Sequence, residues 1–440
     1  IIRDAHFCHS IFNPGVFIFE IDCVFSILVQ EAAMELKSPN IRHLRIFLEV
    51  VDSKSISKAS GRVFLSQPAI TQAISKLEYN LSALLFQRRS DGMYVTPSGE
   101  VLAQRVRRAL DLLINGLKGA VRIGGVKGVQ PSQLLQLLTS TQLRALVAVS
   151  EAQSFSMAGR NLGVSQSSVH RAARELESLL GIVLFEKTSI GISASKAARL
   201  LAKATKLALA EIAQGRNEID SLYNREAPRI VIGSMPLART SVLPKAIIDF
   251  SNSFPDVKII VNDGPYNDLL YHLLDGDIDF LIGALRFPPP SDDVVQEELF
   301  TSTIEIVARP QHPLISAQTI TTNMLSQYSW VVPRKGAPTR AIFESIFVKD
   351  DVPLPRSIVE TSSQILIRSL LLGSDRLTII SGHQIQHELS QGVLKPVSYK
   401  LRNVHRPIGI TMRSSWKPTK AQLSFVNSLR RNGQDMNDDL

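Results

Sequence analysis

Cysteine is almost missing from this sequence. Cys8 and Cys23 are the only two in 440 residues, and both lie before the first recognisable domain. No disulfide framework or cysteine metal site can be built in the rest, and a reducing cytoplasm is the simplest compartment. Long uncharged hydrophobic runs are missing as well. The apolar stretch from Val16-Phe17-Ile18-Phe19 to Val24-Phe25-Ser26-Ile27-Leu28-Val29 is broken by Glu20 and Asp22, and two carboxylates cost too much in a bilayer. It also lacks the basic n-region and clear small-residue cleavage site of an export signal. Met34-Glu35-Leu36-Lys37 reads as a natural start. Residues 1–33 are then upstream sequence, expected to be poorly ordered within an extension over 1–40.

Catalytic signatures are absent too. No GxSxG, HExxH, P-loop or dinucleotide fingerprint stands in a suitable context. The nine histidines are scattered. His383 and His387, at helical i, i+4 spacing, are the nearest approach to a metal pair, and without further ligands they read as polar surface. The sequence points away from an enzyme and calls for no cofactor.

What is present is an ordinary soluble composition, 20% charged and 44% apolar, with an uneven charge. Residues 1–40 hold two basic and five acidic side chains, 41–225 hold twenty-five and thirteen, and 226–440 hold twenty-two of each. The basic excess therefore lies wholly in the middle segment, which suits a phosphate-facing surface.

That segment opens with an amphipathic helix from Ile41 to Ser53, with Leu44, Phe47, Leu48 and Val51 on one face. Two short helices around a tight turn follow. Ile56, Ala59 and Val63 form a small inward stripe, and Ser66 is a good N-cap with Pro68 in the first turn, where its missing N–H costs nothing. The second helix turns Ile70, Ala73 or Ile74, Leu77 and Leu81 inward. Gln67, Ala69, Thr71, Gln72, Ser75 and Lys76 face out. Such a face of small and amide side chains fits a major groove, so this is a helix-turn-helix. Leu84-Leu85-Phe86 reads as a buried strand, and the chain turns at 87–92 into Met93-Tyr94-Val95. That hairpin is a wing, with Arg88 and Arg89 placed to meet phosphates or a minor groove. Thr96 then caps a long helix with Pro97 at its first position, apolar through Leu102, Val106, Leu110, Leu113 and Ile114.

The ordered set Leu44-Arg45-Ile46-Phe47-Leu48-Glu49-Val50-Val51, Ser66-Gln67-Pro68-Ala69, Leu77-Glu78, Leu84-Leu85-Phe86-Gln87-Arg88 and Val95-Thr96-Pro97-Ser98-Gly99-Glu100 resembles the N-terminal winged helix-turn-helix of LysR-type transcriptional regulators. The resemblance implies Ser66, Gln67, Pro68, Ala69, Thr71, Gln72, Lys76, Arg88 and Arg89 at the DNA. It also implies a linker helix that pairs between subunits.

The unit then repeats. A shift of 99 residues aligns Leu44-Arg45 with Leu143-Arg144, Ser66-Gln67 with Ser165-Gln166, Leu77-Glu78 with Leu176-Glu177, and Leu85-Phe86 with Leu184-Phe185. About a third of positions from 44 to 92 are identical without a gap. The second recognition helix turns Val169, Ala173, Leu176 and Leu180 inward. Ser165 and Gln166 open it, and it presents Ser167, Ser168, His170, Arg171 and Arg174. Thr71-Gln72 has become His170-Arg171, and arginine reads guanine where glutamine prefers adenine. Lys187 alone remains of the wing pair. Two different half-sites, or one reader and one copy that only packs, both fit. Gly119 to Pro131 reads as a glycine-rich linker. The helix from Ser195 to about Tyr223, with Leu200, Ala204, Leu207 and Ile212, reads as a coiled-coil-like dimer face, with packing inside the chain as the alternative.

Residues 228–431 change character, alternating short apolar runs with helical stretches, which argues an open, largely parallel sheet with crossover helices. Leu243-Pro244, Phe254-Pro255-Asp256-Val257, Gly276-Asp277-Ile278-Asp279-Phe280, Val359-Glu360-Thr361-Ser362-Ser363 and Arg406-Pro407-Ile408-Gly409 are similar to the family's effector domain. That likeness implies two α/β lobes of periplasmic-binding-protein type with a ligand between them. Ligands in such sheets sit at strand C-termini near helix N-termini. Ser234-Met235-Pro236-Leu237, Gly336 with Thr339, and Thr361-Ser362-Ser363 meet that description, although small hydroxyl residues there also act as plain caps. Arg239 and Arg340 are the candidates for pairing a carboxylate.

The reading is a multidomain chain: an extension (1–40), a winged helix-turn-helix with linker helix (41–118), a linker (119–137), a second such unit (138–225), the α/β effector domain (228–431) and a tail (432–440). Its function is sequence-specific DNA binding controlled by a small-molecule effector, a sugar or an aromatic acid. The partners are duplex DNA, a second copy or a homotetramer, and RNA polymerase. The competing reading is a solute-binding or sensory α/β protein in which one or both helix-turn-helix units are only structural.

Overall fold

A computed structural model describes residues 40–89, 92–189, 191–223, 225, 229–401 and 405–438. The extension over 1–39, with both cysteines, and the wing-turn residues Ser90 and Asp91 lie outside the described residues. The chain divides into two compact units, one ending at Ile219 and the other starting at Asp220.

In the first unit, helices Ile41–Ser53, Ile56–Val63 and Gln67–Leu81 precede strands β1 (Phe86–Arg89) and β2 (Gly92–Val95). The linker helix Pro97–Ile123 follows. Each boundary has a local cause. Ser55, Ser66 and Thr96 oxygens accept from Lys58, Ala69 and Gly99 amides at the three N-caps. Glu78 accepts the Leu85 amide at 2.8 Å and so ties the recognition helix to the wing. The strand begins one residue past that contact, which leaves Leu84 exposed and Leu85 fully buried. Ala73 and Ile74 are both buried, because the helix is covered on two sides.

The second copy, helices Ser140–Ala152, Phe155–Leu162 and Gln166–Leu180, strands β3 (Phe185–Thr188) and β4 (Gly191–Ala194), and linker helix Lys196–Leu222, repeats these solutions at the same spacing. Glu177 accepts the Leu184 amide as Glu78 accepts Leu85. Lys206 pairs with Glu151 as Arg107 pairs with Asp52. The left-handed residue after the short second helix is Phe64 in one copy and Gly163 in the other.

The two copies pack on each other. Arg105 of the first linker helix reaches Glu211, Gln214 and Glu218 of the second. Farther along, Gly116 lies against Ala204 and Leu201, and Gly119 against Leu200. As one helix is followed forward its partner runs backward, so the pair is antiparallel. Ile41 and Arg45 extend the contact, donating to Ser140 Oγ and the Gln136 carbonyl. The subunit-pairing face expected of both linker helices is thus occupied inside one chain. Gly119, expected to open the linker, is instead within the first linker helix, where a missing side chain lets the partner approach. Linker residues begin at Gly124, and Pro131–Leu137 forms a short helix.

The second unit holds two five-stranded sheets. In the first lobe the order is β6 (Lys258–Asp263), β5 (Arg229–Ser234), β7 (Phe280–Ala284), β14 (Arg406–Arg413), β8 (Val294–Ser302). In the second it is β11 (Ile358–Glu360), β10 (Ser329–Val332), β12 (Arg376–Ser381), β9 (Ile304–Ala308), β13 (Lys395–Pro396). In each sheet four strands run one way and one, β14 or β9, runs against them, so two pairings are parallel and two antiparallel. The sheets are therefore mixed rather than largely parallel, because the chain crosses between lobes twice, after β8 and before β14. Within Gly276-Asp277-Ile278-Asp279-Phe280, Asp279 is buried and accepts the Val231 amide at 2.8 Å. Burial pushes its carboxyl pKa up. The last helix, Lys420–Asp438, continues past 431, with Phe425, Val426 and Leu429 buried in the first lobe.

A Cβ on Gly116 would overlap the Ala204 methyl, whereas one on Gly61 would meet open space. Gly61→Ala is expected to stabilise the first unit by about 0.5–1 kcal/mol through helix propensity. Gly116→Ala, despite the same propensity gain, is expected to lower stability. Urea unfolding followed by helical circular dichroism checks both signs.

Candidate nucleic-acid interface and effector cleft

On the first recognition helix Gln67, Pro68, Gln72 and Lys76 are exposed and Ala69 and Thr71 half-buried. Ser66 and Thr71 are partly engaged: Ser66 caps the helix, and the Thr71 hydroxyl donates to the Gln67 carbonyl at 3.0 Å. Gln67, Gln72 and Lys76 are the long side chains left for a ligand. Arg88 and Arg89 are exposed on β1, with Arg89 stacked 4.7 Å from the Tyr94 ring centre. Burial first, then the nearby charges of Lys76 and Arg42, hold the His43 pKa below its ordinary value. The helix surface is electropositive as well as open.

The second face is built differently. Ser165 Oγ bonds to the Ser167 and Ser168 hydroxyls at 2.9 and 2.8 Å, so these three satisfy one another. Gln166 is exposed beside them. The His170 ring packs edge-on against Phe155, centroids 5.0 Å apart. Arg174 pairs with Glu177 at 2.6 Å, the same carboxylate that holds the wing strand. Arg171 stays exposed, as does Lys187 on β3. Of the second set, Arg171 and Lys187 are the cations not committed to a carboxylate among the described residues.

In the effector unit, Ser234 ends β5 with Met235 just after it, and β7 runs beside them to Ala284, with Leu285 and Arg286 next. β14 is antiparallel to β7, so its first residue, Arg406, stands at the same edge, where the Leu285 amide donates to the Pro407 carbonyl. From the other lobe, helix Pro338–Lys349 begins after β10 and Gln364–Leu372 after β11. Arg406 donates to Thr339 Oγ1. That bond brings the C-terminal edges of the two sheets face to face, with Gly336 and Thr361 in the same second-lobe loops. Ser234 is buried and its hydroxyl faces the Met235 carbonyl at 3.3 Å. Leu237 is buried, Pro236 and Met235 half-buried. Ser363 is a plain cap, accepting the Leu366 amide, and Ser362 is exposed.

Arg239 and Arg340 are not free for a ligand carboxylate. Arg239 pairs with Asp263 at 2.8 Å, and Arg340 with Glu344 at 2.7 Å and Glu360 at 2.5 Å. Two arginines that sequence reasoning passed over stand in their place. Arg406 has Thr339 and no carboxylate among the described residues. Burial first, then the charge of Arg286, brings its pKa down to about 10. Arg286 lies over the Tyr266 ring, 4.4 Å from its centre. Gln296 fixes its backbone with a hydrogen bond in each direction. The Tyr266 hydroxyl is buried; Arg286 lies beside it, but no partner meets it with hydrogen-bonding geometry. Arg406 was visible only as part of a strand motif, and no local signal marks Arg286 or Tyr266. His383, expected on the surface, is buried and contacts Ser302 Oγ through Nδ1 at 3.0 Å, at the crossover between lobes. His387 is exposed. Among the described residues no three metal-ligating side chains gather, and no helix is long and apolar enough to cross a membrane.

The sequence over 41–100 and again over 140–199 matches the family model for the bacterial regulatory helix-turn-helix protein, lysR family. Residues 224–434 match the LysR substrate binding domain. The HTH-type transcriptional regulator GalR of Pseudomonas putida is 30% identical over 398 residues, 90% of this chain and 98% of that protein. The regulator PcaQ of Agrobacterium fabrum is 25% identical over 67% of this chain and 95% of its own length, so a third of this chain has no counterpart there. Full-length OxyR from Pseudomonas aeruginosa (TM-score 0.51, 22% identity, 67% of this chain, 95% of that one) and ArgP from Mycobacterium tuberculosis (TM-score 0.53, 16%, 67% and 97%) share the fold. The chain belongs to the LysR family of transcriptional regulators, as a DNA-binding protein with a duplicated helix-turn-helix and a small-molecule effector domain, and not as an enzyme.

Proposed function

We propose that a single chain carries a complete DNA-reading module with two unlike recognition helices, governed by an effector held between the C-terminal lobes. The observation that carries this reading is the antiparallel pairing of the two linker helices within one chain. That pairing is selective for unlike helices. Under the 99-residue shift, Glu211, Gln214 and Glu218 correspond to Leu112, Asn115 and Gly119. Two first linker helices in the same register would therefore leave the buried Arg105 without a carboxylate, and a buried charge without its partner costs several kcal/mol, roughly 3–5. The mixed pair is the one that satisfies it.

In this reading Gln67, Pro68, Ala69, Gln72, Lys76, Arg88 and Arg89 form the face that supplies most base discrimination. Arg171, with Lys187, gives the second half its DNA contact. The engaged hydroxyls of Ser165 and Ser168 and the paired Arg174 support a smaller base-reading role for that half, in which the exposed His170 ring lies against Phe155. The operator then has two different half-sites rather than a palindrome. Pairs or tetramers of chains, with further contacts made by the effector domains, would bring several modules to one promoter and to RNA polymerase in the cytoplasm. The effector site comprises Ser234, Met235, Pro236 and Leu237 from the first lobe and Gly336, Thr339, Thr361, Ser362 and Ser363 from the second. A ligand there shifts the population of lobe arrangements in proportion to its differential affinity for them.

Two outcomes follow for the DNA module. Gln72→Ala is expected to cost about 1–3 kcal/mol at one set of base pairs, and Arg171→Ala a similar amount at a separate set. Binding titrations on operators substituted one base pair at a time check this. A loss in Arg171→Ala that is uniform across sequences would make the second copy a phosphate contact only. Charge exchange tests the pairing. Arg105→Glu and the Glu211→Arg, Glu218→Arg double variant should each weaken operator binding, and all three changes in one chain should restore it. Mixing the two defective chains should restore nothing; recovery on mixing would show that the linker helices pair between chains.

A further inference from the structure

Arg239 and Arg340 are neutralised by carboxylates, whereas Arg406 and Arg286 are half-buried at the cleft without one among the described residues. Arg406 opens β14 and Arg286 lies two residues past the end of the neighbouring β7, both at the edge of the first lobe that faces the second, and Thr339 at the start of a second-lobe helix meets Arg406. Neither guanidinium has an acidic partner among the described residues. Two like charges, partly withdrawn from water and set side by side, destabilise the ligand-free protein. Beside them the Tyr266 hydroxyl is buried without a hydrogen bond, a second unmet polar group at the same place. Elsewhere in this unit Arg309 pairs with Asp375 at 2.8 Å and Arg430 with Glu297 at 2.6 Å, while Arg334, Arg356 and Arg368, which show no carboxylate partner among the described residues, are exposed to water.

We propose that the effector of this regulator is a small organic carboxylate, its anionic group held between Arg406 and Arg286 with Tyr266 bonding to a further polar atom. The proposal rests on the reading of the inter-lobe cleft as the effector site and adds the charge of the ligand to it. A guanidinium presents parallel donors that match the two oxygens of a carboxylate, and a neutral sugar would leave both cations unpaired. Because Thr339 and Arg406 belong to different lobes, an anion that draws Arg406 away from Thr339 changes the contact that holds the two edges together. Binding is in this way coupled to the lobe arrangement.

The test uses the full chain, with thermal unfolding and equilibrium dialysis at constant ionic strength. The probes are benzoate, 4-hydroxybenzoate, glutarate, inorganic phosphate, benzamide and D-glucose. The expected result is saturable stabilisation by at least one carboxylate and none by the neutral compounds. Arg406→Met and Arg286→Met should each weaken it about tenfold or more, while the ligand-free melting temperature does not fall, because repulsion has been removed. Ser362→Trp, at the second-lobe rim, should also impair it. A neutral compound that stabilises, with carboxylates silent and Ser362→Trp abolishing the effect, overturns the anionic class and leaves the cleft standing. A carboxylate response indifferent to both arginine variants and to Ser362→Trp overturns the cleft as well. A response to phosphate alone marks an adventitious ion only and overturns the proposal, as does silence from every probe. A marked loss of ligand-free stability in both methionine variants, with the response retained, assigns the arginines to structure instead.

Discussion

The close antiparallel approach of the two linker helices is the constraint on which the first unit depends. It requires residues without side chains at Gly116, Gly119 and Gly215, where a Cβ would press on Ala204, Leu200 and Arg105 respectively. It also requires compensation for a nearly buried guanidinium, supplied by Glu211 and Glu218 around Arg105. The crossing is pseudo-symmetric in shape and asymmetric in charge: Gly116 faces an alanine where Gly215 faces an arginine. Duplication supplied the shape, and divergence placed the charges on one side only. Helix pairing of this kind specifies its partner through a buried ionic cluster rather than through added apolar area.

The recognition helices inherit their framework from that arrangement, and the repeated contacts explain why the repeat is legible. Leu77-Glu78 and Leu176-Glu177 recur because the glutamate bonds the amide that begins the wing, and leucine fills the core beneath it. Ser66 and Ser165 recur as N-caps. Pro68, Thr71 and Gln72 did not recur, since nothing in the core reads them. Local chemistry of this sort, caps, periodicity and short-range bonds, was visible in the chain, and the helix-turn-helix, wing and linker helix boundaries followed within a few residues. The destination of the apolar linker stripe was not. A stripe states that a helix must be covered, and whether its partner lies in the same chain is a matter of tertiary register that no window of sequence contains.

The effector unit shows the same division. Its strands and the cap-like serines and threonines at strand ends were apparent from alternation and turn chemistry. Arg239 and Arg340, chosen as carboxylate partners because they sit near helix starts, are consumed by Asp263 and by Glu344 and Glu360. Arg286 and Arg406 are 120 positions apart and reach the same edge because β14 returns antiparallel beside β7 after the second crossover. Sequence proximity ranks charges by their neighbours along the chain. Function at a cleft depends on which charge the fold has left over.

Both halves of the molecule therefore turn on the pairing of arginine. Where the guanidinium is met by carboxylates, as Arg105 is by Glu211 and Glu218, it fixes one arrangement of helices, and removing either side is costly. Where it is held only by a neutral hydroxyl of the opposing lobe, as Arg406 is by Thr339, its position is cheap to change and an incoming anion competes on favourable terms. Burial and the like charge of Arg286 strengthen that competition, since the ligand removes a repulsion as well as forming new bonds. A regulator needs both conditions at once. The DNA module must keep its two helices at a set spacing, and the effector module must hold a contact weak enough for a small molecule to displace.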